Sequence, residues 1–149
     1  VAAGGRASDH ALRALAHLRA GNLTKARDDV QQAIRLDPRA ALPYTLLALC
    51  HLQGGDLGPA EIETARALSL DPWDGRAHAL RGLLHAMRRD SEPARASLRI
   101  AAGLAPEDPD TLAFRARAWA ILGDAVEMER VHMEVERRVP GGIEWIVPK

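Results

Sequence analysis

The chain has 149 residues and carries 20 basic and 20 acidic side chains, a formal net charge of zero at pH 7. Alanine supplies 28 residues and leucine 20, whereas Phe, Trp and Tyr number only 1, 3 and 1. Helix formers dominate and sheet formers are scarce, which excludes an all-β fold, and the even charge argues against a nucleic-acid surface.

A lone cysteine, Cys50, offers neither an internal disulfide nor a zinc framework. No apolar run approaches the roughly 18 residues that a bilayer requires, so no membrane span is expected. The chain opens on Val1 without a signal-peptide pattern, and residues are expected upstream of it. Nothing here fixes the compartment.

Residues 1–6 read as a flexible lead-in. After them the chain repeats itself. A helix with Leu12, Leu15 and Leu18 at helical spacing runs to Gly21-Asn22, and a second closes at Leu36-Asp37-Pro38. The next pair turns at Gly55-Asp56 and stops at Leu70-Asp71-Pro72, one full period further on. The third turns at Arg89-Asp90 and stops at Leu104-Ala105-Pro106, and the fourth turns at Gly123-Asp124 and stops at Val139-Pro140. Four units follow: 7–40, 41–74, 75–108 and 109–142, with an apolar tail at 143–149. Small residues recur in each first helix at Ala14, Ala48, Gly82 and Ala116. In the second helices they recur at Ala26, Ala60 and Ala94, and again at Ala33, Ala67 and Ala101. These allow close helix approach, and a larger side chain there should overpack the contact.

The period of about 34 residues, the Gly-Asn/Asp turns, the small positions and the closing Asp-Pro resemble the tetratricopeptide repeat family. The resemblance covers about nine-tenths of the chain. It implies an all-α fold: a right-handed superhelical solenoid of four helix-turn-helix repeats forming one array over 7–142. It also implies a concave groove, lined by the first helices, that binds a segment of a partner protein. Departures are visible. Arg13, Arg81 and Arg115 stand where the family usually has leucine, and His10 and His78 where it has a large apolar residue. Arg89 replaces a turn glycine, so the turn of the third unit is expected to be the most mobile.

Carried over from the family, the groove positions here are Leu12, Leu15, Leu46, Leu49, Leu52, Leu80, Leu83, Met87, Phe114, Arg117 and Ile121. Such a trough suits an apolar or amphipathic segment, and replacing Leu49 and Leu83 by Glu should abolish capture while leaving the array folded. Arg19, Arg76 and Arg117 are too scattered to resemble the family's clamp for acidic tails. Alternatively the groove holds a second copy, or the chain's own Ile143, Trp145, Ile146 and Val147 beyond the Gly141-Gly142 joint. A third reading makes some of these leucines core. Glu136 and Arg138 replace the apolar residues that close the earlier second helices, so the array is expected to end here.

His17, His51 and His85 form a ladder with one rung in each of three successive units. Helices pack about 8–10 Å apart, too far for neighbouring rungs to share a metal without leaning together. They read as flat, half-buried side chains. Gly54-Gly55-Asp56-Leu57-Gly58 lacks the strand and the Gly-Lys-Ser/Thr of a phosphate loop and reads as a turn. No nucleophile, base or metal cluster converges, so neither an enzyme nor a cofactor is expected. The expectation is a protein-interaction module acting as adaptor, assembly factor or chaperone, or else a self-associating or self-occluded scaffold.

Overall fold

The computed structural model describes residues 2–138, with side chains from Arg6 to Arg137. These residues form eight helices: α1 (Ala2–Arg19), α2 (Leu23–Leu36), α3 (Leu42–Gln53), α4 (Leu57–Leu70), α5 (Gly75–Met87), α6 (Ser91–Leu104), α7 (Pro109–Leu122) and α8 (Ala125–Arg138). The chain divides into two compact units, Val1–Pro72 and Trp73–Lys149, each containing two helix pairs. The division falls beside the boundary between the second and third repeats. One sequence expectation is corrected: α1 begins at Ala2, so residues 2–6 are helix, continuing the Ala-rich turns that follow.

The turn between paired helices has one design throughout. Gly21, Gly55, Arg89 and Gly123 all adopt positive φ, at 81°, 85°, 67° and 73°. This left-handed residue lets the next N–H reach back across the turn. Asn22 N–H donates to the His17 carbonyl at 2.8 Å, Asp56 to His51 at 2.8 Å, Asp90 to His85 at 2.9 Å, and Asp124 to Trp119 at 3.2 Å. The residue after the turn then opens the second helix. Asn22 accepts from the Lys25 N–H and Asp124 from the Glu127 N–H. Each of the first three second helices ends on a cap N–H bonded to the carbonyl of its second recurring alanine: Ala33, Ala67 or Ala101.

Those small residues are where paired helices touch. Ala14, Ala26, Ala33, Ala48, Ala60, Ala67, Ala94 and Ala101 are fully buried. A Cβ added to Gly82 would lie 2.7 Å from Leu98 Cδ2 and 3.3 Å from the Ala94 carbonyl oxygen, so α5 and α6 need a glycine there. In the N-terminal unit Tyr44 donates to the Pro38 carbonyl at 2.8 Å, tying α3 to the loop before it. Arg66 of α4 lies over the Tyr44 ring. In the C-terminal unit Arg95 of α6 covers the Trp119 ring and bonds Asp124 at 2.8 Å. That contact, with the Glu127 N–H, holds the Asp124 carboxyl below its usual range.

Candidate partner-binding site

The eleven predicted groove residues do not share one environment. Leu46, Leu49, Leu52, Leu80, Leu83 and Phe114 are buried, so their side chains belong to the packed interior. Leu15, Met87, Arg117 and Ile121 are half-buried, and Leu12 alone is open, 63% exposed. The physical reason lies in the fold. A first helix packs on its own partner and on the next first helix, as α1 does with α2 and α3, and α5 with α6 and α7. Leucines spaced to line a groove therefore also face neighbouring helices. Glu at Leu49 and Leu83 would strand carboxylates in the core, which corrects the expectation that this double variant keeps the array folded.

What stays open is local. In the N-terminal unit, Ala7, Ser8, Ala11 and Leu12 of α1 face Leu42 and Pro43 of α3 and Ala40 of the preceding loop. They enclose a mainly apolar notch of about 330 Å³ with Asp37 at its edge. Leu12 and Leu42 reach this notch because α1 and α3 pack side by side, with the Asp37-Pro38 stop ending α2 between them. Asp37 accepts from the Arg39 N–H at 3.3 Å, which shapes that loop. Ser8, Ala11 and Leu42 occupy groove positions by the sequence register, yet only Leu12 of this set stood among the expected binding residues. The signal that could have found the notch is the small side chain at Ala7 and Ala11, which leaves room beside Leu12.

The polar groups settle into structural roles. Asp29 of α2, 8% exposed at its side chain, is ringed by α1. Arg13 donates to it from Nη2 at 2.7 Å and from Nε at 2.9 and 3.1 Å. His10 Nδ1 lies 3.0 Å from one carboxylate oxygen and His17 Nε2 3.6 Å from the other. The Arg13 guanidinium is the main reason the Asp29 pKa falls to about 2. In the C-terminal unit Arg76 reaches Asp108 at 3.1 Å and Asp110 at 3.5 Å, bracing the start of α5 against α7. Burial pushes the Asp108 carboxyl up, but Arg76 and the Thr111 N–H outweigh it, and the pKa falls.

The histidine ladder does not converge. His17 faces Asp29, His51 Nδ1 is buried without a hydrogen bond, and His85 Nδ1 is 4.0 Å from Asp90. Among the described residues no cluster of His, Cys, Asp and Glu is placed to hold a metal ion, and no helix is long and apolar enough to cross a membrane. Cys50 is buried, which raises its thiol to about 11 and removes it as a nucleophile. Arg117 is half-buried with no hydrogen bond or ion pair among the described residues, and burial lowers its pKa. The expected tail residues, Ile143, Trp145, Ile146 and Val147, lie outside the described residues.

A tetratricopeptide repeat profile matches residues 7–40, the first repeat as the sequence divides it. Solved structures carry the likeness through the rest of the chain. A thermophilic tetratricopeptide repeat protein of Thermus thermophilus superposes with a TM-score of 0.72 at 20% identity, over 91% of this chain and 75% of that one. The tetratricopeptide repeat domain of Arabidopsis OM64 gives 0.65 at 19% identity, over 89% of this chain and 99% of that domain. MamA gives 0.61 at 14% identity, over 89% and 77%. No match was found among curated proteins. At these identities the structures establish a shared fold, the all-α helix-pair repeat of the solenoid class. Tetratricopeptide repeat proteins are in general protein-interaction modules and non-enzymatic scaffolds.

Proposed function

We propose that this chain, whose first repeat matches the tetratricopeptide repeat family, is a non-catalytic binding module that takes an apolar or amphipathic segment of a partner protein on its first-helix face. The notch between α1 and α3 receives one bulky aliphatic side chain of that segment. The observation that carries this reading is Leu12, a large apolar side chain 63% exposed in the wall of an apolar notch of about 330 Å³. A leucine left in water gains by burial against a complementary side chain, and a helix presenting anchors at i and i+4 supplies one. Half-buried Arg117 adds a second preference in the C-terminal unit, for an acidic group on the partner. An adaptor, assembly factor or chaperone would each use the site in this way.

A displayed library of helix-forming peptides tests the reading. The wild-type chain should enrich sequences with a bulky aliphatic anchor, and Leu12→Glu should remove the enrichment while leaving the helical circular dichroism unchanged. Equal enrichment on both chains, or none on the wild type, would sink it. Enrichment that appears only after residues 139–149 are deleted would instead support the self-occluded scaffold.

A further inference from the structure

At two register positions the outer face of α8 departs from that of every other second helix. Val131 and Val135 point into the C-terminal unit and are buried. Val126 and Met133, on the opposite side of the helix, are 69% and 57% exposed. In the same register the earlier second helices carry Thr24 and Gln31, Gly58 and Ala65, and Glu92 and Arg99. Small or polar residues hold these two positions in three repeats, and only α8 carries a large apolar side chain at both, although Ile62 of α4 is also exposed. Val126 and Met133 lie seven residues apart, two turns, and so form one ridge.

Charge sorts itself along that ridge. At about 100° per residue, Arg130 and Arg137 fall on one flank and Glu129 and Glu136 on the other. Arg130 also bonds Glu127 at 2.8 Å, and Arg137 lies 3.8 Å from Glu134; both are exposed contacts within the helix. Glu129 and Glu136 have no hydrogen bond or ion pair among the described residues. A shallow surface hollow lined by Ala125, Val126, Glu129, Arg130 and Met133 marks the place.

We infer that this face pairs with α8 of a second copy, the two helices running parallel about a two-fold axis. Symmetry selects that arrangement. In a parallel pair opposite flanks meet, so Glu129 faces Arg130 of the second copy and Glu136 faces its Arg137, each contact occurring twice. Val126 and Met133 then meet their own counterparts along the seam. In an antiparallel pair like flanks would meet, setting glutamate against glutamate and arginine against arginine. The ridge is thus complementary to itself in one orientation only. With two apolar side chains per copy and solvent-exposed ion pairs, the association is weak and salt-sensitive.

Sedimentation of the full chain from micromolar to millimolar concentration tests the pairing. The wild type should convert reversibly from monomer to dimer, less so in high salt, and Met133→Glu should stay monomeric with unchanged circular dichroism. A chain carrying Glu129→Arg and Glu136→Arg should be monomeric alone, as should one carrying Arg130→Glu and Arg137→Glu; mixed, they should form a heterodimer. Val126→Cys should give a disulfide between the two copies of residue 126. A wild type monomeric throughout overturns the inference. So does faster cross-linking in a mixture of Val126→Cys and Met133→Cys chains than in Val126→Cys alone. A dimer that survives Met133→Glu but is lost on deleting residues 139–149 overturns it too, by making the tail the contact.

Discussion

In the N-terminal unit Arg13 of α1 meets Asp29 of α2. In the C-terminal unit Arg115 of α7 holds the same register three repeats on, and the place of Asp29 is taken by Val131. Arg13 keeps most of its side chain in water while its guanidinium grips a carboxylate. Arg115 is 8% exposed, its Nε has no hydrogen bond, and burial lowers its pKa. Glu127 and Glu134 of α8 favour its charge only from a distance. One unfavourable residue type thus becomes a fastening where the facing helix offers an acid, and a burden where it offers a valine. The turns repeat the contrast. Both turns of the N-terminal unit have glycine at positive φ, whereas one of the two in the C-terminal unit has Arg89. The α1–α2 pair should accordingly protect its amide hydrogens from exchange longer than α7–α8.

Removing the acid tests the contrast most severely. Asp29→Asn keeps the shape of the side chain and discards its charge-assisted bonds, each of a kind that contributes about 1.5–3 kcal/mol. Chemical denaturation should show a loss of about 2 kcal/mol, and the lead of α1–α2 over α7–α8 in hydrogen exchange should shrink. An unchanged midpoint would mean that the Arg13–Asp29 contact does not fasten the pair.

Acid should undo the same contact in the unmodified chain. The Asp29 carboxyl is depressed in the folded state, from the ordinary value of 3.8 to about 2. Folding therefore gains from its ionisation above the ordinary value, and that gain is lost as pH falls toward 2. Stability followed by denaturation should decline across that window, and Asp29→Asn should flatten this part of the decline. A variant declining as steeply as the wild type would move the acid sensitivity elsewhere.

Arg115→Leu works in the other direction. A buried arginine without a partner costs more than a leucine that fills similar space, and replacing buried ionic groups by apolar ones often stabilises. A gain of about 1–2 kcal/mol is expected, with slower exchange in α7 and α8 and little change in α1 and α2. A loss would show that Glu127 and Glu134 do stabilise the guanidinium.

The sequence made some of these features readable and left others closed. Turns, caps and stops rest on local chemistry: Gly21 needs no neighbour to favour positive φ, and Asn22 caps the helix that it precedes. Such features recur in every repeat and stand out. The fate of Arg13 and Arg115 depends on what lies across the helix pair, several turns further along the chain, and only the folded register pairs one with Asp29 and the other with Val131. The groove was harder still. Leu12, Leu46 and Leu80 hold one position in three repeats, yet Leu12 is open while the other two are buried. Spacing places a side chain on a face of its helix; it does not say how much of that face another helix covers. Notch residues such as Ala7 and Pro43 belong to no chemical motif, since what they contribute is empty space.

The smallest expected effect belongs to the third turn. Arg89 holds φ at 67°, where an L side chain is strained by about 1–2 kcal/mol, and the other three turns meet that demand with glycine. Arg89→Gly relieves the strain but enlarges the conformational freedom of the unfolded chain, a penalty of about 0.5–1 kcal/mol. The net gain should therefore stay below about 1 kcal/mol, measured as a small upward shift of the denaturation midpoint. The bond from the Asp90 N–H to the His85 carbonyl, already 2.9 Å, needs no rearrangement to accept the change. Exchange at Arg88, residue 89 and Asp90 should slow toward that of the Gly55 turn, narrowing the difference between the units without closing it, because Arg115 remains. If instead the variant loses stability, the left-handed arginine must make contacts in the turn that offset its backbone strain.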